Sequence, residues 1–186
     1  MNRPFLDFVP MVVLWSLFFV LLAVAVVSDL RERRVSNKVS GSLLLLGLLA
    51  SILQGGIAVG LPQSLGGVAI GMAIWFPMYL LRLVGAGDVK LFAAGSAWIG
   101  WQGALVGSLA TGLLGGVLGL LWLLHRQGLQ AGILAIAQSL RAPKLLQLTP
   151  LDRRERVPYA LAIAGGLSCG WWWAVLPWLH RYFTGG

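Results

Sequence analysis

The sequence predicts an all-α, polytopic membrane protein of six transmembrane helices, with both termini outward and an additional interfacial helix on the cytoplasmic side. Three observations carry that prediction. Of 186 residues, 58% are hydrophobic and 11% charged, whereas a soluble domain carries roughly 25% charged residues. The mean hydropathy is +0.84. The basic residues gather in alternate loops between apolar runs, twelve of the fourteen lying in three of them. Six helices at ~20 residues each occupy about 120 residues, so no second soluble domain fits and residues 1–186 form one domain.

The apolar runs are 9–28, 41–59, 64–81, 91–100, 103–124 and 159–179. The first is followed by Asp29 and arginines without a small-residue cleavage site, so it stays in the mature protein instead of leaving as a signal peptide. The second and third are each long enough to span. The fourth is not; its helix must begin nearer Leu83, which draws Asp88 and Lys90 below the membrane surface. The fifth and sixth span again. Loops at about 29–40, 82–90 and 125–158 hold Arg31, Arg33, Arg34 and Lys38, then Arg82 and Lys90, then Arg126, Arg141, Lys144, Arg153, Arg154 and Arg156. Only Arg3 and Arg181 fall on the other face, and the positive-inside rule puts the twelve in the cytoplasm. Fusing the fourth and fifth runs would divide the charges seven against seven and erase the orientation signal. Within the last loop, Leu129, Ile133, Ile136 and Leu140 recur at helical spacing beside Gln130, Gln138 and Arg141, as in a helix lying on the inner leaflet that Pro143 ends. Segment 127–148 is then a connector, or a gate through which substrate passes.

Several function classes drop out. The formal charge of +8 reports topology in so apolar a chain, not nucleic-acid binding. A lone cysteine, Cys169, can form neither an internal disulfide nor a cysteine metal cluster, and reads as a packing residue. His125 and His180 fall at helix ends as solvated groups, so no metal or other cofactor is expected. Gly67 with Gly71, Gly103 with Gly107, Gly112 with Gly116, and Gly166 with Gly170 have the spacing that lets helix backbones approach closely. Trp98, Trp101 and Trp178 fall near outer helix ends and Trp122 near an inner one, as interfacial anchors do, while Trp171, Trp172 and Trp173 lie deeper and fit no such pattern.

Two of the six acidic residues stand where charge is expensive. Asp29 closes the first helix at its cytoplasmic end, and Asp88 precedes the fourth run from that same side. Between Arg82 and Asp88 the stretch Leu83-Val84-Gly85-Ala86-Gly87 suggests non-helical backbone at membrane depth, tolerated where it lines a cavity or packs on protein. Glycines there leave room for an extended substrate backbone. Two facing carboxylates would share one proton, the ionised group activating water while the protonated one polarises a carbonyl and protonates the leaving amine. The competing reading makes Asp29 an interfacial charge and Asp88 a helix N-cap. Lys90 either snorkels to headgroups or acts on the acids.

These residues carry a resemblance. Gly85-Ala86-Gly87-Asp88-Val89-Lys90-Leu91 resembles the GxGDxKL motif of the type IV prepilin peptidases, GxGD membrane aspartyl proteases. Asp29-Leu30-Arg31-Glu32-Arg33-Arg34-Val35-Ser36-Asn37 is similar to their D-x-R-x-x-R-I-P-N segment, with Ser36 in place of proline. Val157-Pro158-Tyr159-Ala160-Leu161-Ala162-Ile163-Ala164-Gly165 resembles the V-P-Y-G-x-A-I-A-x-G start of their last helix, with Ala160 for glycine. The resemblance implies that Asp29 and Asp88 are the catalytic pair, that Gly85, Gly87, Lys90, Asn37, Pro158 and Tyr159 bind substrate or shape loops, and that the substrates are prepilin or pseudopilin precursors. Cleavage would follow a glycine at the cytoplasmic face of the bacterial inner membrane. Lacking the N-terminal cysteine-rich region of the large members, the chain is similar to the short CpaA/TadV-like type of tight-adherence (Flp) pilus systems, which implies cleavage without N-methylation. The cluster Arg31, Arg33 and Arg34 reads first as a topogenic signal and second as a substrate contact. Two rivals stand beside this: a transporter or pilus-assembly factor that binds a cation or proton through the two aspartates, and a presenilin-like protease, whose Tyr-Asp pair is absent because Ser28 precedes Asp29.

Overall fold

The computed structural model describes residues 4–32, 36–81, 83–141 and 159–184, with side chains described over 11–32, 36–81, 83–121 and 159–176. Four helices follow one another: α1 (Pro4–Glu32), α2 (Asn37–Leu80), α3 (Ala86–Arg141) and α4 (Tyr159–Thr184). Each contains a stretch long and apolar enough to cross a membrane, and no strand occurs among the described residues. Leu45, Leu49 and Leu53 on α2 and Leu109, Leu113 and Val117 on α3 are all more than half exposed. A water-soluble protein does not leave such stripes open. They suit the lipid of a multi-pass membrane protein.

At 44 and 56 residues, α2 and α3 as straight rods would run ~66 and ~84 Å, but neither is straight. In α2 two helical stretches join at Gly56, whose φ of 70° and ψ of 174° are non-helical. A Cβ on Gly60 would strike the Ser51 carbonyl, a residue nine positions earlier that a straight helix would put ~13 Å away. The chain therefore folds back there. In α3 the left-handed residue is Gly100, φ 67°, and a Cβ on Gly107 would lie 3.6 Å from Cζ of Phe92, again closer than a continuous helix allows. Both reversals use glycine because a left-handed φ strains any residue with a side chain.

The first arm of α3 is the centre of the molecule. Residues 91–99 are buried on every side, which explains why the fourth apolar run has no polar face. Both arms of α2 lie against it through small residues: a Cβ on Gly47 would meet Ala97 at 3.0 Å, and one on Gly71 would meet the Ala93 Cα at 3.2 Å. The Ser51 and Ser64 hydroxyls, at 3.1 and 2.8 Å, both donate to the Ala97 carbonyl, one of those left without a helical partner by the turn at Gly100. On another side, Leu167 of α4 fills the space over Gly95. The second arm of α3 and α4 then cross at glycines, with Gly103 against the Gly170 carbonyl and Gly107 against that of Gly166. Phe18 of α1 packs on Trp98 with ring centroids 5.4 Å apart.

Four expectations need correction. Trp98 is no interfacial anchor: it is 5% exposed and its Nε1 donates to the Leu43 carbonyl at 2.7 Å. Cys169 is exposed, not packed. Gly112 and Gly116 meet nothing within 4 Å, unlike the other three pairs. The central helix starts at Ala86 instead of near Leu83, so non-helical backbone ends at Gly85 and Gly87 is helical. Residues 127–141 of the expected interfacial helix continue α3 without a break in the helical backbone, and 142–148 lie outside the described residues. Trp171 is a core-edge residue, packing edge-on against Trp15 at 5.8 Å and Phe19 at 5.0 Å, while Trp172 and Trp173 are more than half exposed.

Candidate functional site

The inward face of α1 is a narrow stripe, Trp15, Phe18, Leu22, Ala25 and Asp29, at alternating spacings of three and four residues. That spacing keeps one side of a helix against its neighbours, so the last member must face inward as well. It is a carboxylate, 9% exposed. A charge costs much when taken from water, and every other position of the stripe is apolar. Ser28 and Asp29 are both engaged in interactions there.

Asp88 is fixed by the way α3 begins. The Gly85 carbonyl accepts from the N–H groups of Asp88 at 3.1 Å and Val89 at 3.3 Å, which makes Gly85 the N-cap. Asp88 is the third residue of the helix, and its Oδ2 accepts from the Gly85 N–H at 3.0 Å, the return half of a capping box. The sequence suggested Asp88 itself as the cap; the glycine takes that place and the acid reaches back to it. A Cβ on Gly85 would lie 3.0 Å from Oδ2, so the glycine keeps the carboxylate close to the chain. Asp88 is half-buried, and its charge suits the positive end of the helix.

The start of α2 reaches the first turns of α3, and the start of α4 packs on Trp75. Ser36 caps α2, its hydroxyl accepting from the Lys38 N–H at 3.3 Å, which is how a serine serves at the position where proline was expected. Asn37 follows, and its Oδ1 accepts from Lys90 Nζ at 3.4 Å. Lys90 is thus exposed but tied to α2. Tyr159 opens α4, its ring edge-on to Trp75 at 6.0 Å. Between Glu32 and Ser36 the chain reaches at most ~14 Å, so the carboxyl end of α1, with Asp29, lies at the same end of the bundle.

The structure therefore gathers Gly85, Gly87, Asp88, Lys90, Asn37 and Tyr159 towards one end of the bundle, and Asp29, on the inward face of α1, lies at that same end. Pro158, Arg33, Arg34 and Arg82 lie outside the described residues. Trp75 and Gly115, which hold Tyr159, carry no motif; only their place inside apolar runs was visible, and that signals packing. Ser36 was noted only as the residue in place of proline; its cap role had a serine as its signal, set five positions before the run that begins at Gly41. Among the described residues no three His, Cys, Asp or Glu side chains group as metal ligands would. What the arrangement offers chemically is acid–base work by carboxyl groups beside a helix start.

Comparison with known proteins bears on this end of the molecule. The model of the type IV leader peptidase family matches residues 16–120, a segment that contains both Asp29 and Asp88. A prepilin leader peptidase/N-methyltransferase of Xanthomonas campestris pv. campestris is 33% identical over 102 residues, 51% of this chain and 35% of that protein. One from Aeromonas hydrophila is 31% identical over 110 residues, 56% of this chain and 37% of that protein. The chain thus matches just over a third of the length of these curated relatives. No solved structure matches it.

Proposed function

Since the chain belongs to the type IV leader peptidase family, we propose that it is a membrane-embedded aspartyl endopeptidase that removes the short basic leader of type IV prepilin-like precursors, of the Flp type, after a glycine at the cytoplasmic face of the inner membrane. The observation that carries this reading is the convergence at one end of the bundle of Asp29, last member of a buried apolar stripe, and Asp88, held at the start of α3. In the proposed reaction the carboxyl groups share one proton across the substrate. The ionised group takes a proton from water as the oxygen attacks the scissile carbonyl; the other polarises that carbonyl and then protonates the departing amine. The helix starts around Gly85 supply the free peptide groups along which an extended leader lies.

In this reading the membrane is crossed six times, α2 and α3 each turning back at Gly56 and Gly100, with the site at the cytoplasmic side where the basic loops lie and both termini outward. Residues 127–141 prolong the fifth crossing as the end of α3. The relatives are named for N-methylation as well as cleavage; with one cysteine in 186 residues, these residues cut and do not methylate. The test is to incubate membranes carrying this chain with an Flp-type prepilin and follow loss of the leader. Shortening of the prepilin is expected. A prepilin left whole by well-inserted protein would contradict the reading and favour ion or proton binding by the two acids.

A further inference from the structure

The inward stripe of α1 does not stop at its carboxylate. Trp15, Phe18, Leu22, Ala25 and Asp29 are separated by three, four, three and four residues, and the next step of three reaches Glu32, the last residue of the helix. Glu32 lies about 60° round the helix from Asp29 and ~4.5 Å further along it, so the two are neighbours on one face. Arg31, by contrast, lies about 160° round from Asp29. Glu32 is exposed, as are Arg31, Lys38 and Lys90. Of the acidic side chains described, Asp29 is buried, Asp88 half-buried and Glu32 alone exposed, and no ion pair holds Glu32 among the described residues. One turn beyond Asp29, among exposed cations, it is the point at this end of the bundle that attracts a positive group instead of repelling it.

We propose that Glu32 is a specificity-determining residue of the cleavage site, its carboxylate receiving a basic side chain of the substrate leader where the leader emerges from the membrane; this rests on the aspartyl peptidase reading above. A segment that emerges on the cytoplasmic side of an apolar stretch carries lysine and arginine, as this chain's own loops do. Such a leader meets Arg31, Lys38 and Lys90 at this end, and like charges repel it. Glu32 offsets that repulsion at one place, and α1 sets the place. An extended leader advances ~3.3 Å per residue, so the second and third residues before a cut at Asp29 come level with Glu32 or just past it. The same carboxylate that receives a cation there rejects an acidic side chain, and specificity needs both effects.

The test uses the purified full chain in nonionic detergent micelles and two synthetic prepilin peptides spanning leader and cleavage site, one with lysine and one with glutamate at the second and third positions before the cut. Cleavage kinetics and thermal unfolding are measured for the wild type, Glu32→Gln, Glu32→Lys and Asp88→Asn. The wild type should prefer the lysine leader. Glu32→Gln should raise KM for that leader about 2- to 5-fold, the worth of an exposed ion pair, and Glu32→Lys should raise it further while lowering KM for the glutamate leader. Salt at about 0.5 M should erase these differences, and the unfolding midpoints should stay together because Glu32 is exposed. Should Glu32→Lys fail to fold, Glu32→Gln with the two leaders decides. A KM that is the same in every Glu32 form, or that rises equally for both leaders, would overturn the inference and leave the peptidase reading intact, as would a loss confined to the amount of folded protein. Normal cleavage by Asp88→Asn, or no cleavage of either peptide by the wild type, would remove both.

Discussion

At the scale of single residues, Asp88 does two things that substitution can separate. Its carboxylate accepts the Gly85 N–H, and an amide oxygen can do the same. Asp88→Asn should therefore leave thermal stability within a few tenths of a kcal/mol of the wild type while abolishing cleavage. Asp88→Ala should lose cleavage and in addition about 1 kcal/mol of stability with the cap. Equal stability of the two variants would show that the capping bond contributes little. The two acids were legible in the sequence because a charge in so apolar a chain is rare and their flanking residues form recognisable motifs. Trp75 and Gly115 were not, because each acts on a partner 84 or 44 positions away in the chain, and nothing local marks the pairing. Trp98 misled for a related reason: a tryptophan near the end of an apolar run reads the same whether it anchors at an interface or, as here, bonds to the Leu43 carbonyl.

At the scale of helices, the interfaces are made by missing side chains. Gly67 lies on the Ser96 carbonyl and Gly166 on that of Gly107, where a Cβ would meet backbone that cannot give way, whereas Gly112 faces open space. Gly67→Ala and Gly166→Ala should each cost about 1–3 kcal/mol through overpacking, while Gly112→Ala should be neutral or stabilise by about 0.5–1 kcal/mol. Unfolding in mixed micelles measures the difference, and equal effects at the three sites would contradict the packing described. The small-residue spacing was visible in the sequence, but all four pairs looked alike; only the approach of a second backbone tells the working pairs from the open one. The fourth apolar run was recognisably too short to span, yet its role as the centre of the bundle was not visible, because burial on all sides comes from the five neighbouring stretches and not from the run itself.

At the scale of the whole molecule, orientation follows from charge, and the catalytic proposal depends on it. In a Cys169→Ala background, a cysteine at Lys38 should react with a membrane-impermeant maleimide only from the cytoplasmic side, and one at Gln102, exposed just after the Gly100 turn, only from the outer side. Labelling of both from one side would contradict the fold-back at Gly100. The all-helical membrane class was legible from composition because lipid demands it of any chain this apolar. The two reversals inside α2 and α3 were foreshadowed by the breaks between apolar runs, but the left-handed glycines that make them stand among 25 glycines with no local mark.

The central claim is that Asp29 and Asp88 act together on a prepilin. The direct measurement is mass spectrometry of a co-expressed prepilin with the wild-type chain, Asp29→Asn and Asp88→Asn, all three shown to insert equally. The account predicts a cut after glycine and an unmethylated new terminus with the wild type alone, and intact precursor with either variant. Normal cleavage by either variant would contradict it.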